Sequence, residues 1–214
     1  WENLSDGMQI TSFYRLGLSD NNSNYVIAGA QDNSTFYYNN NNWINIIGGI
    51  AVLGGYLYAL LNHPNTGNDL WGGIPQNWRA WIVTSMFIAA FGYIIAMYYF
   101  IYRDGLDVKF FWGKTEASVM VIILVLFFVS ASMWIHSTFS YLEMPAAGTW
   151  NLIQFELRVT AISILLITIG LASASDVINP ELHRWSVIGL SFISFHCLIL
   201  DAILWTIKFP NLHN

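Results

Sequence analysis

Polar and apolar positions divide this chain in two. Residues 1–43 are rich in Asn, Ser, Gly and Tyr and hold no long apolar run. Residues 44–207 hold five: Ile44–Leu61, Trp78–Tyr102, Thr115–Thr138, about Thr149–Ala174, and Arg184–Ile207. A hydrocarbon core of about 30 Å takes about twenty helical residues, so each run reads as a crossing, the first being the shortest. Lipid gives the backbone no water to bond, which makes helices the economical solution. The pattern therefore predicts a mainly α fold: a polytopic helical membrane domain of about five transmembrane helices (44–61, 78–102, 115–138, 149–174, 184–207) within residues 44–214. A short β-type segment, residues 1–43, precedes it. In the first run Ala51, Gly55 and Ala59 recur at spacing four, a face of small residues on which another helix can approach closely.

Composition agrees. Of the 214 residues, 55% are hydrophobic and 10% charged, against about 25% charged in soluble domains. Trp and Tyr gather near the ends of several runs, where amphipathic rings settle at the membrane–water interface. Net charge is −5 and the eight Lys and Arg are scattered, so there is no basic patch of the kind that binds nucleic acid. Cys197 is the single cysteine, which excludes an intrachain disulfide and a cysteine-based metal site. The expected partners are the lipid bilayer and either other membrane proteins or further copies of the chain. Arg103, Lys109 and Lys114 lie between the second and third runs, and the loop around Glu143 has neither Lys nor Arg. By the positive-inside rule this is a multi-pass protein of the cell membrane with loop 103–114 cytoplasmic.

Within residues 1–43, Tyr25–Ala30 and Thr35–Tyr38 read as strands around the turn-forming Gln31-Asp32-Asn33-Ser34. The run Ile10-Thr11-Ser12-Phe13-Tyr14-Arg15, then Ala28-Gly29-Ala30-Gln31-Asp32-Asn33-Ser34-Thr35, then Trp43 and Gly48-Gly49 resembles one blade of a sortilin-type or BNR-repeat β-propeller. The resemblance covers residues 1–49 and brings no catalytic residues with it. Asn3, Asn21 and Asn33 begin Asn-X-Ser/Thr triplets. Propellers of this type are usually exported, whereas counting back through five spans places this segment in the cytoplasm. With a chain that starts at Trp1, the expectation is a fragment or a fusion joined near residues 43–49. A first run that does not span, or a chance propeller likeness, would equally remove the conflict.

Ionisable residues inside membrane helices are costly and often functional. Glu156, Arg158, Asp201 and His136 fall into one layer of the outer half of the bilayer at about 1.5 Å per residue. Glu156, Thr160 and Ser163 follow i, i+4, i+7 and make one face of the fourth helix polar. Candidate ligand- or ion-binding residues are therefore Glu156, Arg158, Asp201, His136 and Thr160. The alternative is structural, an Arg158–Asp201 or Arg158–Glu156 pair that ties helices together. His196, beside Cys197, reads as packed or hydrogen-bonded. No metal-ligand cluster, phosphate-cradling glycine motif or nucleophile elbow occurs. No cofactor is expected from these residues, and an enzyme is the third choice.

The stretch Trp78–Trp205 also resembles the first four helices of microbial rhodopsins. Glu156 and Thr160 stand where those proteins carry a carboxylate and a threonine. Ile153 or Leu152 replaces the arginine one turn earlier, and the last three helices are absent. The resemblance implies a truncated protein of that kind, with retinal as its cofactor. The principal expectation is a transport or sensing protein with a polar cavity in the outer half of the membrane. The alternative from another class is a structural or assembly subunit of a membrane complex.

The charge asymmetry generates a topology test. In a Cys197→Ser background, a membrane-impermeant thiol reagent added outside cells should modify Glu143→Cys and spare Asp107→Cys. The reverse pattern would overturn the orientation.

Overall fold

The computed structural model describes residues 13–19, 22–30, 33–39, 42–64, 66–103, 105, 108–115 and 117–213, with side chains from Ile44 onward except Asn45. Two compact units are present, residues 1–43 and 44–214.

The first unit contains β1 (Phe13–Ser19), β2 (Asn22–Ala30) and β3 (Asn33–Asn39). They pair antiparallel in the order β1-β2-β3, with Leu16 opposite Ala28 and Ile27 opposite Tyr37. A propeller blade has four strands, and several blades close the ring. Here three strands form one sheet, and the second unit adds none among its described residues. The propeller-blade resemblance is therefore not supported.

The second unit is helical: α1 (Asn42–Asn62), α2 (Gln76–Tyr102), α3 (Ala117–Glu143), α4 (Ala147–Ala172) and α5 (Pro180–Lys208). Four of them, α2 to α5, are long and apolar enough to cross a membrane. The expected fifth crossing falls on α1, whose described apolar stretch, Ile46–Asn62, is shorter than the other four. Local chemistry fixes the ends. Pro75 precedes α2, and Pro145 stands in the three-residue turn that folds α4 back against α3. Asn179 caps α5, its side-chain oxygen accepting from the Leu182 N–H at 3.2 Å, with Pro180 in the first turn.

Packing follows the sequence order only in part. α3 lies along α4, α4 against α5, and α5 along α2. One core joins Ala96, Met97 and Phe100 of α2, Leu124 and Phe127 of α3, Ile164 and Ile167 of α4, and Leu190 of α5. A second, formed by Tyr141, Ile153, Leu157, Ala161 and Ala202, joins α3, α4 and α5. Outward faces carry large apolar side chains; Trp81 is 77% and Phe87 73% exposed. In water such faces would mark aggregation or partner binding. On helices long and apolar enough to cross a membrane, such faces are compatible with a lipid surrounding.

α1 meets α3 through Gly48, Gly55 and Ala59, set against Phe128, His136 and the Ile135–Phe139 pair. Ala51, expected on that face, is exposed. The seven-residue step from Gly48 to Gly55 tracks the contact, and Ala51 lies to one side of it. Between α2 and α3, Phe111, Trp112 and Gly113 take successive left-handed conformations, with φ of 49°, 58° and 74°. That turn lets the Lys109 backbone pair with Ser175, which follows α4, so these two loops are joined.

The α2–α5 crossing is the tightest. A Cβ built on Gly92 would lie 2.5 Å from Gly189 Cα, and one on Gly189 would lie 2.6 Å from Gly92 Cα. Backbone touches backbone there, and no flexible side chain can yield. Gly92→Ala and Gly189→Ala should each destabilise the bundle by about 1–3 kcal/mol, the usual range for overpacking, as measured by unfolding in mixed detergent. Gly54→Ala, which meets nothing within 4 Å, is the matched control and should not lower stability.

Candidate functional site

Most hydroxyls in these helices bond back to their own backbone. Thr84, Thr138, Ser186 and Ser191 each donate to the carbonyl four residues earlier at about 2.8 Å. Such residues are satisfied locally and need no partner helix. Side chains that depart from this habit mark the places where helices exchange polar contacts.

The first such place lies between α3 and α4. Glu156 is 3% exposed. Its Oε1 accepts from Ser137 Oγ at 3.0 Å, while its Oε2, also buried, has no hydrogen-bond partner among the described residues. One turn on, the Thr160 hydroxyl donates to Ser130 Oγ at 2.8 Å, its oxygen also lying 2.9 Å from the Glu156 carbonyl. Glu156, Thr160 and Ser163 are all buried, since their spacing puts them on the face that α4 turns toward its neighbours. Glu156 stands nine residues after Ala147, the first residue of α4, at a depth of about 14 Å. Farther along α4, Thr168 reaches Ser194 of α5 at 2.7 Å and the Leu190 carbonyl at 3.2 Å.

The second place lies between α2 and α5. α5 changes character at His196: residues His196–Trp205 form a π-helix. In an α-helix, residues five apart stand about 140° apart around the axis. Bonding from i to i+5 brings them to one face, and π segments recur at functional sites. Here His196 Nε2 stands 3.6 Å from Asp201 Oδ1, five residues on. His196 Nδ1 is 2.9 Å from Ser85 Oγ of α2. The three side chains form one chain across two helices.

The expected single layer is thus divided. Glu156 and Thr160 stand together, and Asp201 stands with His196. Arg158 is exposed, and its Nη2 donates to Gln154 Oε1 at 2.8 Å on its own helix. Neither expected pair, Arg158–Asp201 or Arg158–Glu156, forms, because residue 158 falls two positions from Glu156 and so on another face. His136 is exposed and faces α1, its ring centroid 6.2 Å from that of Tyr58. Lys208, at the end of α5, lies over the Trp78 ring. Ser85, Ser130 and Ser137 were not singled out by the sequence. In sequence they resemble every other membrane-helix serine, and only their rotation toward another helix sets them apart.

The helix ends around Tyr141, Trp150 and Trp205 are closed by aromatic rings. Trp205 packs on Phe209 at 4.4 Å and on Trp150 at 6.0 Å, and its indole N–H donates to the Leu70 carbonyl at 2.7 Å. Trp134 donates to the Tyr56 hydroxyl. The Tyr141 hydroxyl meets His213 Nδ1 at 2.6 Å and accepts from the Leu212 N–H at 2.8 Å. Among the described residues no group of three or more His, Cys, Asp or Glu is placed to hold a metal.

These partners separate two variants. Ser137→Ala leaves the buried Glu156 carboxyl without its one side-chain donor and should cost about 1–3 kcal/mol. Arg158→Leu removes only an exposed contact and should stay within about 0.5 kcal/mol of the parent. Unfolding of both in mixed detergent provides the check, and a severe loss from Arg158→Leu would restore the buried-pair reading.

No family model, curated protein or solved structure matches the chain, neither a β-propeller nor a rhodopsin among them, so its function is argued from this geometry.

Proposed function

We propose that this multi-pass membrane protein binds a proton or a small cation within the bilayer, in transport or in sensing, with Glu156 as the binding group. One observation carries the reading: a buried carboxyl in the interior of a span, with one oxygen bonded to Ser137 and the other unpartnered among the described residues. An unpaired charge is expensive in an apolar medium, so a carboxyl placed there takes up a positive partner. Ser137 adds a hydroxyl oxygen beside it, and the Thr160–Ser130 pair lies one turn along α4. With loop 103–114 cytoplasmic, the site lies in the outer half of the membrane. Neighbouring lipid and further membrane-protein chains, or copies of this one, cover the exposed apolar faces.

A structural role is the second reading. Thr160–Ser130 and Thr168–Ser194 tie helices together without leaving either hydroxyl free, as an assembly subunit requires. Glu156 Oε2 is what this reading does not account for.

An apolar carbodiimide, which reacts with protonated carboxyls in membranes, distinguishes the two. In proteoliposomes it should modify Glu156, more slowly as the medium is made alkaline or a monovalent cation is added. Glu156→Gln should remove the modification while the protein stays folded. Flux of protons or cations abolished by the same variant would identify transport, and binding without flux would identify sensing. A Glu156 that reacts at a rate independent of pH and cations, or not at all in the folded protein, would leave the structural role.

A further inference from the structure

The Ser85–His196–Asp201 chain is not used by the proposed cation site, and it has the connectivity of a nucleophile, a base and an orienting acid. Three observations bear on it. Ser85 abandons the backbone bond that its neighbour Thr84 makes to Ala80, and turns its hydroxyl to His196 Nδ1 at 2.9 Å. The π-helical stretch then places Asp201 Oδ1 3.6 Å from the other ring nitrogen. With the ring proton on Nε2, toward Asp201, Nδ1 accepts from the serine. The longer separation is of a kind that tightens once substrate is bound.

The third observation is the surroundings. Ser85 lies on the wall of an open groove lined by Trp78, Trp81, Ile82, Phe195, Leu200 and Leu204. Trp81 and Phe195 are exposed on helices that cross the membrane, so the medium meeting this groove is lipid. An acyl chain fits such a lining, and the hydroxyl stands beside it.

We propose that Ser85, His196 and Asp201 form an acyl-transfer site that opens sideways into the bilayer and takes fatty-acyl esters of membrane lipids, with water as second substrate. Ser85 Oγ bonds to the ester carbonyl carbon, its proton passes to His196 Nδ1, and the carbonyl electron pair moves onto oxygen. Collapse breaks the bond to the alcohol oxygen, which takes the proton from His196. Water then attacks the acyl-serine, losing a proton to His196. The acyl–Oγ bond breaks, Ser85 recovers its proton and the fatty acid leaves. Asp201 holds the doubly protonated imidazole ring in both halves of the cycle.

The test uses the full chain in lipid nanodiscs with an alkyl fluorophosphonate, a reagent that bonds to activated serines. Peptide mapping should find the adduct on Ser85. Ser191, a lipid-facing serine bonded to its own helix, is the internal standard and should remain unmodified. Ser85→Ala should abolish labelling, and His196→Gln should slow it by about 100-fold or more, the range of a general base. Release of fatty acid from a labelled lipid ester should fall in parallel. Folded protein that gives no adduct on Ser85, or an adduct no faster than on Ser191, overturns the proposal whether or not the variants fold. An adduct that forms equally fast in a folded His196→Gln protein overturns it as well. Neither result touches Glu156, so the cation-binding reading is judged separately.

Discussion

An apolar medium offers little water to the polar groups of the long helices, so most of them find their partners inside the protein. For the backbone, that requirement selects helices. For side chains, it explains why so many serines and threonines donate to the carbonyl one turn earlier. It also gives meaning to the departures. Ser137 turns to Glu156, Ser194 to Thr168 and Ser85 to His196, and each joins two helices through a contact that lipid cannot replace.

The same requirement ranks the candidate residues. An exposed arginine bonded to Gln154 on its own helix satisfies itself and can reach headgroups along its stem. A buried carboxyl with one open oxygen satisfies itself only in part. Arg158 and Glu156 are two positions apart and equally conspicuous as letters, yet the rotation of α4 puts one outside and the other inside. The polar faces in turn depend on close packing. The Gly92–Gly189 crossing holds α5 against α2 and so sets how near His196 comes to Ser85.

The first unit stands apart from these considerations. Its three strands pair in simple antiparallel order, which local alternation and turn residues suffice to specify. The likeness to a propeller blade rested on short runs of common residues. A blade is defined by a fourth strand and by repetition, which are properties of a longer pattern than residues 1–49 contain.

What the sequence determined by itself was whatever depends on composition and period. It marked the break near residue 43, the positions of the long apolar runs, and the i, i+4, i+7 face that buries Glu156, Thr160 and Ser163. A crossing is a matter of length, and a face is a matter of angle along one helix. Only the tertiary structure decided which polar residues meet. That depends on the rotation and depth of separate helices, which close glycine contacts and turn geometry set. It also decided that α1 lies beside α3 on Gly48, Gly55 and Ala59. The π-helical stretch is the clearest case. On α-helical spacing His196 and Asp201 face different ways, and one change of hydrogen-bond period puts them 3.6 Å apart. No spacing rule applied to the letters alone contains that shift, because it arises from backbone hydrogen bonding that period counting takes as fixed.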